Sequence, residues 1–259
     1  MSKINGKTIW LTGASSGIGL ALAEALAEKG ARLILTARSE ATLNELAERL
    51  PGNHRVFSLD LSNPENAFQH GQDLVANETI DVLINNAGVS QRSAVLDTDL
   101  SVYRQLMEID YFSVIALTKS VLAQMQARKQ GHVVTIASVA GKVGSKLRSG
   151  YSGAKFGVIG FMDCARAEMA EHNVHFTTIC PGFVRTQVSH NALTGDGSKL
   201  NQEDPDITGG ISPEECAAAI IKAIEQDRDE VIVGKGLSKL APTLQRFFPN
   251  LVRKLSAKR

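Results

Sequence analysis

Tyr151 and Lys155 lie four residues apart, so on a helix they stack on one face, phenol beside ammonium. That pairing suits proton transfer: the lysine charge favours the tyrosinate, and the phenol can pass a proton to or from an oxygen. Ser138 ends a β-rich run just ahead of them and offers a hydroxyl hydrogen bond to the same oxygen. A second group suits anions. The stretch Thr12-Gly13-Ala14-Ser15-Ser16-Gly17-Ile18-Gly19 joins a strand-like run to an alanine-rich helix. Glycine lets the backbone turn tightly and approach a pyrophosphate, and the helix N-terminus adds unpaired N–H groups. Each signal alone is weak, since surface helices often carry Tyr-x3-Lys and tight turns often carry glycine. Their joint presence in one alternating fold is what carries weight.

The elements that must position these residues alternate throughout. Strands are expected at Lys7–Thr12, Arg32–Ala37, Arg55–Leu61, Val82–Asn85, His132–Ser138, His175–Cys180 and Val231–Val233. Several are continuous apolar runs, as in parallel strands covered on both faces. Helices are expected at Ser16–Lys29, Ala41–Leu50, Pro64–Asn77, Leu100–Lys129, Gly153–His172 and Pro213–Gln226. Ser212-Pro213-Glu214-Glu215 opens the last with an N-cap, a proline at N1 and a capping-box glutamate. Seven strands and six helices predict an α/β domain over 1–259, a doubly wound parallel sheet of Rossmann type with helices on both faces. Ligands of such sheets bind beyond the carboxyl ends of the strands, where the residues above fall.

The glycine spacing is G-x3-G-x-G, and Asp60, Asn85-Asn86-Ala87-Gly88, Ser138, Tyr151-x3-Lys155 and Pro181-Gly182 follow in order at strand ends. Over nearly its whole length the sequence therefore resembles the short-chain dehydrogenase/reductase family. The resemblance implies a carbonyl–alcohol oxidoreductase acting on a small molecule, with Ser138, Tyr151 and Lys155 catalytic. It implies that the cofactor is held by Gly13, Ser15, Ser16, Gly17, Ile18, Gly19, Asp60, Leu61, Asn86, Tyr151, Lys155, Pro181, Val184 and Thr186. In it, Asp60 meets the adenine, Lys155 the nicotinamide ribose and Thr186 the carboxamide. It also implies a homodimer or homotetramer built on the long helix after strand four and on the Tyr/Lys helix.

Two positions refine that picture. An acidic residue ending strand two would bind the ribose hydroxyls of NAD; here Ala37 holds that place and Arg38-Ser39 follow, which favours the 2′-phosphate of NADP(H). The family's usual asparagine in the helix after strand four, which helps hold a relay water, is matched by Asp110. A buried aspartate there is expected to be protonated or paired with Lys155, retuning the relay and its pH profile rather than disabling the enzyme. A protein that binds NADP(H) as a sensor or scaffold without turnover is the alternative, and Asp110 alone favours it.

The 259 residues are 43% apolar and 21% charged, and they hold no apolar run long enough to span a bilayer. A cytoplasmic protein is expected. Residues 1–234 carry 21 basic and 27 acidic side chains, which argues against nucleic-acid binding. No catalytic metal is expected, and Cys164, Cys180 and Cys216 read as buried free thiols. A polar stretch over about 183–210, with Gly195-Asp196-Gly197-Ser198 as a flexible run, reads as a substrate lid. It shows no charged pair for a small acid, which points to an apolar carbonyl substrate. The tail 235–259 holds seven basic and no acidic residues on an amphipathic pattern, broken by Pro242 and Pro249. An amphipathic cover over the core or substrate pocket, with a solvated basic face, is favoured for it, with attachment to anionic membrane surfaces as the alternative.

Overall fold

Seven apolar runs pair as parallel strands in the order β3-β2-β1-β4-β5-β6-β7. The strands are β1 Thr8–Thr12, β2 Arg32–Thr36, β3 Arg55–Val56, β4 Val82–Asn85, β5 Gly131–Ile136, β6 Val174–Pro181 and β7 Glu230–Val233. The computed structural model describes residues 3–202 and 208–258, so residues 203–207 of the expected lid and the last tail residue lie outside the described residues. The chain reverses direction across the sheet between β1 and β4, and this opens a crevice beyond their carboxyl ends. Register places Thr8 opposite Arg32 and Thr12 opposite Thr36, so both strands end level with the glycine turn.

Alternating side chains divide the core in two. Ile9, Leu11, Leu33 and Leu35 face helices α1 (Gly17–Glu28) and α2 (Glu40–Arg49) together with α7 (Pro213–Glu225). On the other face Trp10, Ile34, Leu83 and Val133 meet α3 (Pro64–Asn77), α5 (Ser113–Arg128) and α6 (Ser149–Met169). Each fully buried aliphatic side chain contributes roughly 1.5–3 kcal/mol. Trp10 is fully buried, and its Nε1–H donates to Thr36 Oγ1 at 2.9 Å, which satisfies the one polar atom that burial would penalise. The capping box expected at Ser212 and Glu215 is formed.

Several expectations need correction. β3 spans two residues instead of reaching Leu61, because it is an edge strand; Phe57 and Leu59 still donate to Leu35 and Ala37 and so carry Asp60 to the crevice. The single helix expected over Leu100–Lys129 is α4 (Leu100–Met107), a π-helical turn (Glu108–Phe112) and α5. Helix α6 starts at Ser149, which puts Tyr151 in its first turn. Cys164 is exposed on the outer side of α6, while Cys180 and Cys216 are buried. In the tail, Pro242 does not end α8 (Gly236–Phe247): it removes one backbone donor while neighbouring bonds hold, Phe248 N–H still reaching Leu244 at 2.7 Å. Pro249 opens α9 (Pro249–Lys258), where a missing N–H costs nothing. Gly195–Ser198 is also no loose run. Thr194 and Ser198 close it as a hydrogen-bonded turn, and Gly195 accepts from Asp99 N–H at 2.9 Å.

Candidate active site

Helix α6 delivers Tyr151 and Lys155 to the carboxyl edge of β5 and β6, and Ser138 follows β5 there. All three line one cavity with Asn86, Asp110, Pro181, Val184 and Thr186. Lys155 is 4% exposed, and its Nζ lies 5.7 Å from the centre of the Tyr151 ring. Nζ donates to the Ile136 carbonyl at 3.2 Å and faces Asp110 Oδ1 at 3.3 Å. Ser138 Oγ accepts from Ala140 N–H at 3.0 Å, so its own hydrogen stays available to donate into the cavity.

Asp110 belongs to the π-helical turn, a kind of local underwinding that often marks functional positions. It is wholly buried; Oδ1 also accepts from Val89 N–H at 3.1 Å, and Oδ2 has no hydrogen-bond partner. Burial pushes this carboxyl up, and the Lys155 charge pulls it part of the way back. For Lys155, burial works to lower the ammonium, but Asp110 and then Tyr151 outweigh it and hold it above its ordinary value. Asp110 thus lies within ion-pair distance of Lys155, the contact foreseen for it. Gly88 makes this approach possible, since a Cβ there would collide with Asp110 Oδ1.

Along the crevice runs a cleft of about 790 Å³, large enough for a cofactor. Gly13, Ser15, Ser16, Gly17, Ile18, Arg38, Asp60, Leu61, Asn86 and Thr186 line it. Gly13 has φ +66, and a Cβ there would lie 2.8 Å from Asn86 Nδ2. Asn86 itself donates to the carbonyls of Thr12 and Gly13 at 2.9 and 3.2 Å, which locks the turn. Gly19 packs directly on the Gly13 carbonyl, where a side chain would collide. The N-cap Ser16 makes no side-chain cap, and the first turn of α1 holds no acid, so its N–H groups suit an anion. Arg38 is exposed at the rim, and among the described residues no carboxylate pairs with it. Ser39 Oγ, expected to add a hydroxyl here, is engaged by Thr42 N–H as the cap of α2. The residues present fit a dinucleotide.

The structure adds residues that sequence reading passed over. Arg92 and Arg148 line this cavity beside Val89, Phe183 and Val188, so its wall carries long polar side chains as well as apolar ones. Gln91 is fully buried at the start of α6. Its Oε1 accepts from Gly150 N–H at 2.7 Å and Tyr151 N–H at 3.3 Å, while Nε2 donates to Ser93 at 3.0 Å and Thr98 at 3.3 Å. The N-cap position, Arg148, provides no side-chain cap, so Gln91 caps the helix from another segment. The same segment pairs with the stretch expected as a lid: Leu193 N–H reaches the Ser90 carbonyl, and Arg92 N–H reaches the Leu193 carbonyl, both at 2.8 Å. No local signal marks Gln91 as a cap, because the N–H groups it caps lie some sixty residues along the chain.

A glycine turn at a helix N-terminus and a Ser–Tyr–Lys trio meeting at one sheet edge are the arrangement of an oxidoreductase of the doubly wound class. The short chain dehydrogenase family model matches residues 7–196, and the chain belongs to that family. It is 38% identical over 252 residues to dehydrogenase/reductase SDR family member 7B of Xenopus laevis, covering 93% of this chain and 78% of the relative. A Drosophila melanogaster relative, dehydrogenase/reductase SDR family protein 7-like, is 35% identical over 266 residues, covering 100% and 82%. A short-chain dehydrogenase from Streptomyces avermitilis superposes with TM-score 0.81 at 28% identity, covering 97% of this chain and 96% of that one. A metagenomic short-chain oxidoreductase solved in complex with NADP gives TM-score 0.73 at 27% identity, covering 88% and 97%.

Proposed function

We propose that this protein is an NADP(H)-dependent reductase or dehydrogenase that interconverts a carbonyl and a secondary alcohol, with Tyr151 as proton donor or acceptor. The observation that carries this reading is the shared cavity: Ser138, Tyr151, Lys155 and Asp110 line one wall of a space that adjoins the cleft behind the glycine turn. The bound dinucleotide supplies the hydride chemistry. Ser138 donates a hydrogen bond to the substrate oxygen and orients it. Tyr151 gives that oxygen a proton in reduction and takes it back in oxidation. Lys155, kept charged by Asp110, favours the phenolate and binds the cofactor ribose; Asp110 holds the lysine and its proton path. Arg38 favours NADP(H), which the NADP complex of the metagenomic relative supports.

Val89, Phe183 and Val188 favour an apolar body in the substrate. Phe112 and Phe156, 44% and 47% exposed, offer apolar contacts for a homo-oligomer built on the α5 and α6 side of the molecule. Loss of reduced-nicotinamide absorbance with a panel of carbonyl compounds, run with NADPH and NADH in parallel, tests the reading. NADPH-preferring turnover is expected. Tight NADPH binding without turnover on any compound would replace it with the sensor reading.

A further inference from the structure

The C-terminal helices face the wrong way for a cover. Surface helices ordinarily turn their apolar stripe toward the core. In α8 the stripe Leu237, Leu240 and Phe247 points outward instead, with the three side chains 70%, 56% and 66% exposed. The side turned toward the body is Ser238, Ala241, Pro242, Leu244 and Gln245, all half-buried, with Leu244 its one large apolar residue, and Ser238 rests against Gly182. Phe248 continues the outward stripe between the helices, and Leu251 and Leu255 extend it along α9, each at least half exposed. Val252 is the one large apolar residue of α9 that is buried. The expectation of an apolar cover thus fails on orientation.

Charge selects what meets this surface. Every charged residue in 235–259 is basic, seven in all, while residues 1–234 carry six more acidic than basic side chains. Lys235, Lys239, Arg246, Arg253 and Lys254 form no ion pair among the described residues, and all are exposed. A second copy of so basic a surface would repel the first across an apolar interface. An anionic bilayer satisfies both features at once, taking the apolar stripe into the acyl boundary and the lysines and arginines at the headgroups. No helix among the described residues is long and apolar enough to cross a membrane, so the helices would lie on the surface.

We propose that α8 and α9 form a docking surface for anionic lipid bilayers. The test is flotation of the full chain with phosphatidylcholine vesicles, with and without added phosphatidylglycerol. The protein should float with the anionic vesicles only and be released by high salt. Phe247→Glu should abolish flotation. Lys239→Glu combined with Arg253→Glu should weaken it at least about tenfold, with the melting temperature of either variant unchanged because these side chains are exposed. Failure to float with anionic vesicles, or equal flotation on phosphatidylcholine alone, overturns the proposal. So does a stable dimer in light scattering that Phe247→Glu splits, which would make a second copy the occupant.

Discussion

The Lys155 ammonium and the Asp110 carboxylate face each other at 3.3 Å with essentially no access to water, beneath the glycine of the Asn85-Asn86-Ala87-Gly88 segment. The pair joins the π-helical turn after α4 to the helix that carries Tyr151, two elements that also pack through the Tyr111 ring against Gly157. Burial alone would lower the Lys155 ammonium, and Asp110 is the largest influence acting the other way. An asparagine in that place would hold a water without supplying this charge. The aspartate therefore makes Lys155 a more persistent cation than a neutral amide would.

Asp110→Asn tests this directly. Without the carboxylate, burial lowers the Lys155 ammonium, so the lysine loses its proton at lower pH. The alkaline limb of the kcat/KM profile should move to lower pH, with a smaller change near neutrality. An unchanged profile would remove Asp110 from the proton path. Asp110→Ala also leaves a buried charge unpaired and should cost about 3–5 kcal/mol of stability in denaturant unfolding.

Gln91→Leu strips the cap from the first turn of α6. Two helical N–H groups are left unpaired beside Tyr151, which should lower kcat at least about tenfold (about 1.4 kcal/mol) by misplacing the phenol. NADPH affinity, measured by fluorescence, should stay within about twofold, because the glycine turn is untouched. Gln91→Glu keeps both acceptor bonds and should recover most of the rate. A fall in melting temperature with kcat unchanged would make Gln91 a purely structural cap.

Arg38→Ala should weaken NADPH binding by roughly tenfold or more, the worth of a charge-assisted bond to phosphate, and leave NADH nearly unaffected. Equal losses for both cofactors would show that Arg38 does not read the 2′-phosphate.

Glu78 gives a stability signature away from the site. Hydrogen bonds from Arg32 at 2.7 and 2.9 Å, joined by one from Arg55 at 3.0 Å, hold its carboxyl at about 2, against an ordinary 4.5. A carboxyl lowered on folding stabilises the protein above its unfolded value, and that stability is lost as pH falls through the folded one. Melting temperature should therefore drop between about pH 4.5 and 2. Glu78→Gln should flatten that decline and cost roughly 1–2 kcal/mol near neutrality, the half-exposed arginines being screened by solvent. An identical acid decline in the variant would rule the cluster out as its source.

The sheet and the candidate site were legible because both rest on local signals. Apolar runs mark parallel strands, and the turn, Ser138, Tyr151 and Lys155 each follow a strand end where such folds bind ligands. What escaped depends on geometry that residue types do not carry. The π-helical turn at Glu108–Phe112 has the composition of ordinary helix, yet it sets where Asp110 points. Gln91 acts on backbone groups that come close only in the folded chain, and Arg92 and Arg148 read as loop arginines until the cavity brings them to one wall. The tail's amphipathic pattern was visible, but which way its stripe faces is a tertiary fact.

The central claim is that Tyr151 carries the proton in a carbonyl–alcohol interconversion, and Tyr151→Phe tests it most directly. The variant keeps the ring that packs against the cluster of Val102, Leu106 and Leu193 and removes only the hydroxyl. NADPH should bind it with affinity near that of the wild type, while carbonyl-dependent NADPH oxidation falls by at least about a hundredfold, the usual worth of a general acid. Turnover persisting in the variant at a rate close to that of the wild type would contradict the account.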